Sequence, residues 1–213
     1  MTFSDLLRLV SDQPLFETGF LLAGDLDPAD ARRQLSRWTR SGKIVQLRRS
    51  VYTLSRPYRR VEPHPFLIAN SLVRPSYVSL QSALAYHGLI PEHVAVVTSV
   101  ARARPGRRTT PLGEFDFRHL RFGLFFGFRP IEVVAEQVAL VAFPEKALLD
   151  LAALTPGGDE AGFLEGLRLQ NLERLDRDRL ARFAAEARSP KLRRAAVVLQ
   201  RLTEREAEEY EEL

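Results

Sequence analysis

The chain has 213 residues, enough for one large domain or two small ones, and its apolar and charged contents of 45% and 27% are ordinary for a globular protein. It has no cysteine, which excludes disulfides and thiolate chemistry, and no apolar run predicts a membrane span. The net charge is +4, yet residues 203–213 hold six Glu and one Arg, so the rest carries +9. This basic body favours a polyanionic partner, with nucleic acid first. The first residues lack the basic start of a secretion signal, so a cytoplasmic protein is expected.

Three helices are predicted near the N-terminus. Residues 4–11 form the first, with Ser4 as the expected N-cap, and residues 16–22 form a short second helix or a turn. The third helix starts after Asp27, a favourable N-cap residue, and ends at the Gly42 stop signal.

A basic segment, residues 31–60, covers the third helix and the stretch after it. It holds ten Arg or Lys and no Asp or Glu, although the whole chain is nearly balanced in charge. Within the helix, Ala31, Leu35 and Trp38 recur at helical spacing. They predict one buried stripe, with Trp38 as a core anchor, opposite an arginine-rich face.

Residues 44–54 (IVQLRRSVYTL) predict a β-hairpin directly after this helix. Strand-forming residues lie on both sides of a turn expected near 48–50. A helix followed by a hairpin is the pattern of a winged helix-turn-helix, so residues 1–60 are predicted to be a DNA-binding domain.

The basic helix and hairpin supply the candidate DNA contacts. Gln34 suits adenine, and Arg33 or Arg37 suits guanine, because their side chains match those base edges in the major groove. The basic residues after them are better placed for phosphates. The alternative is an arginine-rich face that is merely solvated, but such faces usually mix both signs of charge. The candidate residues are Arg32, Arg33, Gln34, Arg37, Arg40, Lys43, Arg48 and Arg49.

A proline-rich linker at 55–65 separates this domain from a second one, residues 61–213, predicted as a mixed α/β domain with a helical C-terminal part, 160–202, and an acidic tail, 203–213. The overall fold class is therefore α+β. The further predicted helices are 66–73, 79–88, 144–154, 159–170, 176–187 and one from 189 onward. The predicted strands are 94–100, 113–120, 122–128, 131–134 and 137–143.

Residues 101–112 (ARARPGRRTTPL) are predicted to be a basic loop. Arg102, Arg104, Arg107 and Arg108 surround a Pro-Gly pair and form a candidate second DNA contact. The alternative is a mobile, solvated hairpin loop. The acidic tail has two interpretations as well: a solvated helix end, or a segment that competes with DNA for the basic face.

Neither a cofactor nor a metal site is predicted. The four histidines, His64, His87, His93 and His119, lack ligand spacing, and His87 is expected to contact the last carbonyls of its own helix. Ser79 is expected to cap a helix, and Phe125 and Phe126 to lie in a packed strand.

A metal-dependent nuclease is the alternative from another functional class. It would need carboxylates and a lysine that converge on one strand end. Glu114 and Asp116 alternate on a strand, but Glu145 and Lys146 are adjacent at a helix start. The simpler interpretation is that Glu145 favours the helix N-terminus and Lys146 lies on the surface.

Several segments together resemble one known family. They are ADARRQLSRWTRSGKIVQLRRSVYTL, SYVSLQSALAYHGLIPE, GEFDFRHL, FFGFRP and AFPEKALLDLAAL. These segments, within about residues 5–155, are similar to the AbiEi antitoxins of type IV toxin–antitoxin and abortive-infection systems.

The resemblance implies a repressor that binds double-stranded repeats in its own promoter. It also implies an antitoxin that opposes a nucleotidyltransferase-like toxin without a stable complex, and that is not an enzyme. By position, it assigns DNA reading to 29–41 and 44–54 and a second basic surface to the four arginines of the loop. A solitary regulator without a toxin is the alternative within this class.

Overall fold

The computed structural model describes residues 1–22, 27–92 and 94–211, with the backbone alone after 206, and over these ranges the chain is an α+β protein as predicted. Two β-sheets are formed by these residues, one of three strands and one of six. The small sheet belongs to the N-terminal elements and the large sheet to the remainder of the chain.

The N-terminal elements run helix, strand, helix, helix, strand, strand. They are α1 Phe3–Val10, β1 Phe16–Glu17, α2 Thr18–Leu21, α3 Pro28–Arg40, β2 Ile44–Arg48 and β3 Val51–Leu54. Strand β3 lies between β1 and β2 and pairs antiparallel with both. The β2–β3 hairpin turns at Arg49 and Ser50, within the predicted turn, and Ser50 adopts a positive φ of 70°. This order is compatible with the predicted winged helix-turn-helix.

These elements share a small apolar core. Leu6 and Val10 of α1 pack with Leu35 and Trp38 of α3 and with Leu54 of β3, and all five are buried. The predicted buried stripe of α3 is thus confirmed, including the core position of Trp38.

The N-cap of α1 differs from the sequence-based expectation. Thr2, not Ser4, caps the helix: its hydroxyl accepts the Asp5 amide at 3.2 Å, and the Asp5 carboxylate accepts the Thr2 amide at 2.8 Å. This reciprocal pair is a capping box, and it satisfies one more amide than Ser4 alone would.

The remaining elements build the six-stranded sheet and the helices around it. The strands are β4 Ser76–Val78, β5 Val97–Ala101, β6 Gly106–Thr110, β7 Gly113–His119, β8 Phe128–Val134 and β9 Gln137–Ala142. The helices are α4 Pro65–Leu72, α5 Leu80–Tyr86, α6 Pro144–Leu154, α7 Ala161–Glu165, α8 Arg177–Glu186 and α9 Pro190–Glu211. Two 3-10 turns cover Phe122–Leu124 and Leu172–Arg174.

The strand order of the large sheet is β6-β7-β5-β4-β9-β8. Two inner pairs, β5–β7 and β4–β9, are parallel, and the other pairs are antiparallel. Both edge strands have residues that discourage further pairing. Strand β6 carries Arg107 and Arg108, and β8 carries Pro130, which has no amide hydrogen to donate.

Two segments differ from their predicted structure. The predicted strand at 122–128 is not formed: residues 122–124 make a 3-10 turn, and only Phe128 belongs to a strand, β8. Just before β8, Gly127 takes a positive φ of 72°, and its backbone approaches the Lys146 side chain too closely for a Cβ atom. The predicted loop at 101–112 contains strand β6, which pairs with β7. Its charged residues are tolerated because β6 is an edge strand.

The N-terminal elements pack against the larger part of the chain. Leu47 and Val51 of the hairpin belong to the large apolar core, not to the small one. Arg48 donates from Nε to the Ser71 carbonyl at 2.5 Å, across this junction. The predicted boundary between residues 60 and 61 stays a prediction, but the hairpin clearly contacts both cores.

Candidate nucleic-acid interface

Helix α3 separates an apolar side from a basic side. Ala31, Leu35 and Trp38 are buried, whereas the four arginines of the helix are exposed. These arginines are Arg32, Arg33, Arg37 and Arg40. They line one open depression together with Gln34 and Ser36. The arginine-rich face predicted from the sequence therefore lies on the surface.

The N-terminal turn of α3 brings acidic groups close to this face. The Asp27 carboxylate caps the helix and accepts the amides of Ala29 and Asp30 at 2.9 and 3.0 Å. Asp30 forms a hydrogen-bonded ion pair with Arg33, which raises the pKa of that guanidinium. A base contact by Arg33 would therefore have to compete with Asp30.

Gln34 is less accessible than its predicted role requires. The residue is half-buried, and its Oε1 atom is enclosed without a hydrogen-bond donor from the described part of the chain. An adenine contact would require the side chain to change rotamer. Arg37, which is exposed on the same face, is the better placed of the predicted base contacts.

The hairpin exposes only part of its predicted basic surface. Lys43 is half-buried, with its amine 4.6 Å from the centre of the Phe3 ring. Arg48 is half-buried as well, and its Nε is engaged by the Ser71 carbonyl. Arg49, at the turn, is exposed. Of these three side chains, Arg49 is the one most available to a phosphate.

The second predicted basic group is exposed on and before strand β6. All four of its arginines, Arg102, Arg104, Arg107 and Arg108, lie on the surface. Arg102 packs its guanidinium 4.5 Å from the centre of the Phe122 ring. Residues 106–110 form a strand and not a loop, but their arginines are exposed, so whether they are merely solvated or contact DNA stays a prediction.

A chain of short contacts connects the hairpin turn with this second basic group. The Thr18 amide donates to the Ser50 carbonyl at 3.0 Å, and the neighbouring Glu17 pairs with Arg74 at 2.8 Å. The Arg102 amide then donates to the Pro75 carbonyl at 3.4 Å. These contacts connect the hairpin turn to the strand pair β4–β5, whose second strand Arg102 directly follows.

Three exposed residues at this place were not predicted as contacts. Arg74 follows α4, and Arg121 and Phe122 follow β7. Their exposure depends on a 3-10 turn and on tertiary contacts, which periodicity does not predict. The one available signal was the adjacent Arg121-Phe122 pair in a segment that otherwise suggested a buried strand.

A buried polar cluster was also missed. Lys146, predicted on the surface, is only 2% exposed and forms a hydrogen-bonded ion pair with Asp150. The Tyr77 hydroxyl accepts from Lys146 Nζ at 2.9 Å and donates to Asp150 Oδ2 at 2.9 Å. Ser79 does not cap α5 with its side chain and instead donates to Asp150 Oδ2 at 2.8 Å. The cluster links β4, the start of α5, and α6.

Burial is the main cause of the pKa shifts in this cluster. It raises the pKa of the Asp150 carboxyl and lowers the pKa of the Lys146 amine, and the attraction between the two groups opposes both shifts. Burial likewise raises the pKa of the Tyr77 hydroxyl. Lys146 could not have been predicted here from α6 alone, since residues 144–152 are all buried and the helix has no polar face.

Glu145 has a different role from the one predicted. It is fully buried, accepts the Asp176 amide at 2.8 Å, and lies 3.6 Å from Arg179. Its carboxylate thus serves the start of α8 more than that of its own helix. Burial is the main cause of its raised pKa.

The nuclease candidates are not brought together. Glu114 and Asp116 lie on β7, three strand positions from β9, or about 14 Å at the usual interstrand spacing of about 4.8 Å. Glu145 and Lys146 follow β9 and are buried. Within the described ranges, no three histidine or carboxylate side chains are close enough to hold a metal ion.

The histidines make structural contacts. His87 bonds through Nε2 to the Ala142 carbonyl at 2.8 Å rather than to its own helix, as had been predicted, and burial lowers its pKa. His64 accepts the Phe66 amide through Nδ1 at 3.1 Å and so caps α4. His119 lies 3.2 Å from the Ala103 carbonyl. His93 lies outside the described residues.

The first residues of the acidic tail contact the body. Glu206 accepts the Leu172 amide at 2.8 Å, and Glu204 pairs with Arg177 at 3.4 Å. Arg205 pairs with Glu165 at 3.6 Å. Glu206 is half-buried, whereas Glu204 and Arg205 remain exposed, so both interpretations of the tail stay predictions. No helix in the described ranges combines the length and apolar character needed to cross a membrane.

No protein-family model matches the chain, and none of the curated proteins matches it. The resemblance to the AbiEi family therefore stays a prediction.

Proposed function

We propose that this protein is a DNA-binding transcriptional repressor that acts by binding and not by catalysis. The observation that carries the proposal is the division of α3 into a buried apolar stripe and an exposed face of four arginines. A helix of this kind fits the major groove, where arginine side chains pair with guanine. Clustered positive charge supplies the phosphate attraction that positions it.

The proposed contacts follow from accessibility. Arg37 and, after release from Asp30, Arg33 reach base edges. Arg40, on that helix face, and Arg49, at the hairpin turn, contact phosphates, because both are exposed. Arg48 is assigned to the junction with Ser71 and not to DNA.

The second basic group extends this interface. Contacts of Glu17, Arg74 and Pro75 connect the hairpin turn with the segment that carries Arg102. We propose that a duplex bound at α3 and Arg49 continues towards the arginines that precede and form β6.

We further propose, on the resemblance to the AbiEi family, that the protein is the antitoxin of a type IV system. It would bind repeats in its own promoter and oppose a nucleotidyltransferase-like toxin without a stable complex. The solitary-regulator alternative differs in having no toxin. Co-expression of the full chain with the product of the adjacent gene discriminates, since only an antitoxin restores growth.

The test of DNA recognition is a footprint on the protein's own promoter, followed by affinity measurements with the double variant Arg33→Ala/Arg37→Ala. We expect one or more protected repeats. Each lost base contact should weaken specific binding by about 1–3 kcal/mol, while binding to unrelated DNA changes much less.

Arg193→Ala is the control, because Arg193 is an exposed arginine on α9 and is not among the proposed DNA contacts. It should leave specific binding unchanged. A promoter without a protected site, or a double variant that binds the repeat as tightly as the control, would overturn the repressor proposal.

A further inference from the structure

Phe122 is the most exposed large apolar side chain described, with 77% of its surface accessible. Single exposed apolar residues are common, but an aromatic ring this open loses the stabilisation that burial would give. The other phenylalanines of the same run, Phe125, Phe126 and Phe128, are half-buried against the large core. The exposure is therefore particular to Phe122.

The backbone holds this ring in a defined place. Phe122 begins a 3-10 turn in which the Leu124 amide donates to the Arg121 carbonyl and the Phe125 amide to the Phe122 carbonyl, both at 3.0 Å. Leu124 is buried and anchors the turn to the core. The ring thus projects from a fixed turn and not from a long loop.

Positive charge surrounds the ring. The Arg102 guanidinium lies 4.5 Å from the ring centre, a cation–π contact. Strands β5 and β7 are parallel, so the residues that follow them meet at one edge of the sheet. Arg104 follows β5 and Arg121 follows β7 at this end of the sheet, and both are exposed.

We propose that Phe122 and Arg102 form a stacking platform for an unpaired nucleotide base. An aromatic ring inside a cationic surface is the combination with which proteins bind single-stranded DNA: the ring stacks on a base, and arginines hold the backbone. A paired base inside a duplex has both faces covered, so the platform requires a single-stranded or locally unstacked site. The inference rests on the proposed function in that it extends the same DNA path.

The chemistry of the surface favours DNA over a protein partner. Arg102, Arg104 and Arg121 bring three exposed cationic side chains to the ring and to the chain segments around it. A single ring also offers too little apolar area for a stable protein interface. A ligand that is both anionic and aromatic matches the positive charge of this surface and the single exposed ring.

The experiment measures the affinity of the full chain for a labelled oligodeoxythymidine of about 12 nucleotides, within the usual range of site sizes. Phe122→Ala should weaken binding by roughly 5- to 150-fold, and Phe122→Trp should retain it, because stacking needs an aromatic ring. The salt dependence of the Phe122→Ala variant should match that of the original protein, since no phosphate contact is removed.

Two matched variants separate stacking from general effects. Val197→Ala removes an exposed apolar side chain on α9 and should leave affinity unchanged. Arg104→Ala/Arg121→Ala should lower the slope of log K against log salt by about 0.7 for each lost phosphate contact.

The outcomes distinguish this inference from the repressor proposal. Equal affinities of Phe122→Ala and the original protein, or a Phe122→Trp variant as weak as Phe122→Ala, would overturn the platform. Binding to the promoter without binding to the oligonucleotide would overturn the platform and support the repressor. Ring-dependent oligonucleotide binding without a promoter site would support the platform and overturn the repressor.

Discussion

A few polar side chains inside the large core specify how its elements pack together. Lys146 and Asp150 are an ion pair removed from water, and Tyr77 and Ser79 complete the hydrogen bonds of the carboxylate. A buried pair contributes little net stability, since desolvation offsets its attraction, but the loss of one partner leaves an uncompensated charge. The four side chains fix how α6 sits against β4.

We therefore expect Lys146→Met to lower the free energy of unfolding by about 3–5 kcal/mol, as for other buried pairs from which one partner is removed. The double variant Lys146→Met/Asp150→Leu should recover most of this loss, because it leaves no unpaired charge. Urea denaturation of the two variants measures both values. A single variant as stable as the original protein would mean that the pair is not buried as described.

At the scale of elements, amphipathic periodicity predicted which face of α3 is buried. The bounds of the fully buried helix α6 were predicted correctly, but the burial of its polar residues was not. The stripe of Leu35 and Trp38 gave α3 its correct face, since burial on one side leaves a 3.6-residue signature. Helix α6 has no such signature, so the burial of Lys146 was invisible to the sequence. Strand β6 and the turn at Phe122 were missed because edge pairing and close backbone approach depend on distant residues. The candidate site was accordingly predicted at α3 and only partly elsewhere.

Helix α3 also depends on its first turn. The Asp27 side chain satisfies two amides, so Asp27→Ala should destabilise the protein by about 1 kcal/mol, whereas Asp27→Asn should have a much smaller effect, because asparagine caps helices as well. The midpoint of urea unfolding, followed by Trp38 fluorescence, reports the difference. If alanine and asparagine behaved alike, the carboxylate would not be the cap.

At the scale of the whole molecule, the junction between the two cores couples the N-terminal elements to the rest of the chain. Leu47 and Val51 join the hairpin to the large core, and Arg48 and the Glu17–Arg74 pair add polar contacts. These contacts couple the basic face of α3 to the rest of the chain. A substitution in the larger part of the chain should therefore affect the α3 surface that we propose binds DNA.

This coupling predicts a single unfolding transition. Trp38 is the only tryptophan and lies in the small core, so its fluorescence reports the N-terminal elements, whereas far-ultraviolet circular dichroism reports all helices. We expect the two signals to give the same urea midpoint. An earlier fluorescence transition would show that the N-terminal elements unfold independently.

The two borders of the large sheet have a consequence for how copies of this chain meet at high concentration. Pro130 interrupts the row of amide donors along β8. The adjacent positive charges of Arg107 and Arg108 on β6 repel the same strand of another molecule. Both edge strands, β6 and β8, therefore disfavour pairing with a strand of another molecule. Fibrous aggregation through these edges is therefore disfavoured. The arginines that oppose it are exposed, so they can also contact a polyanion.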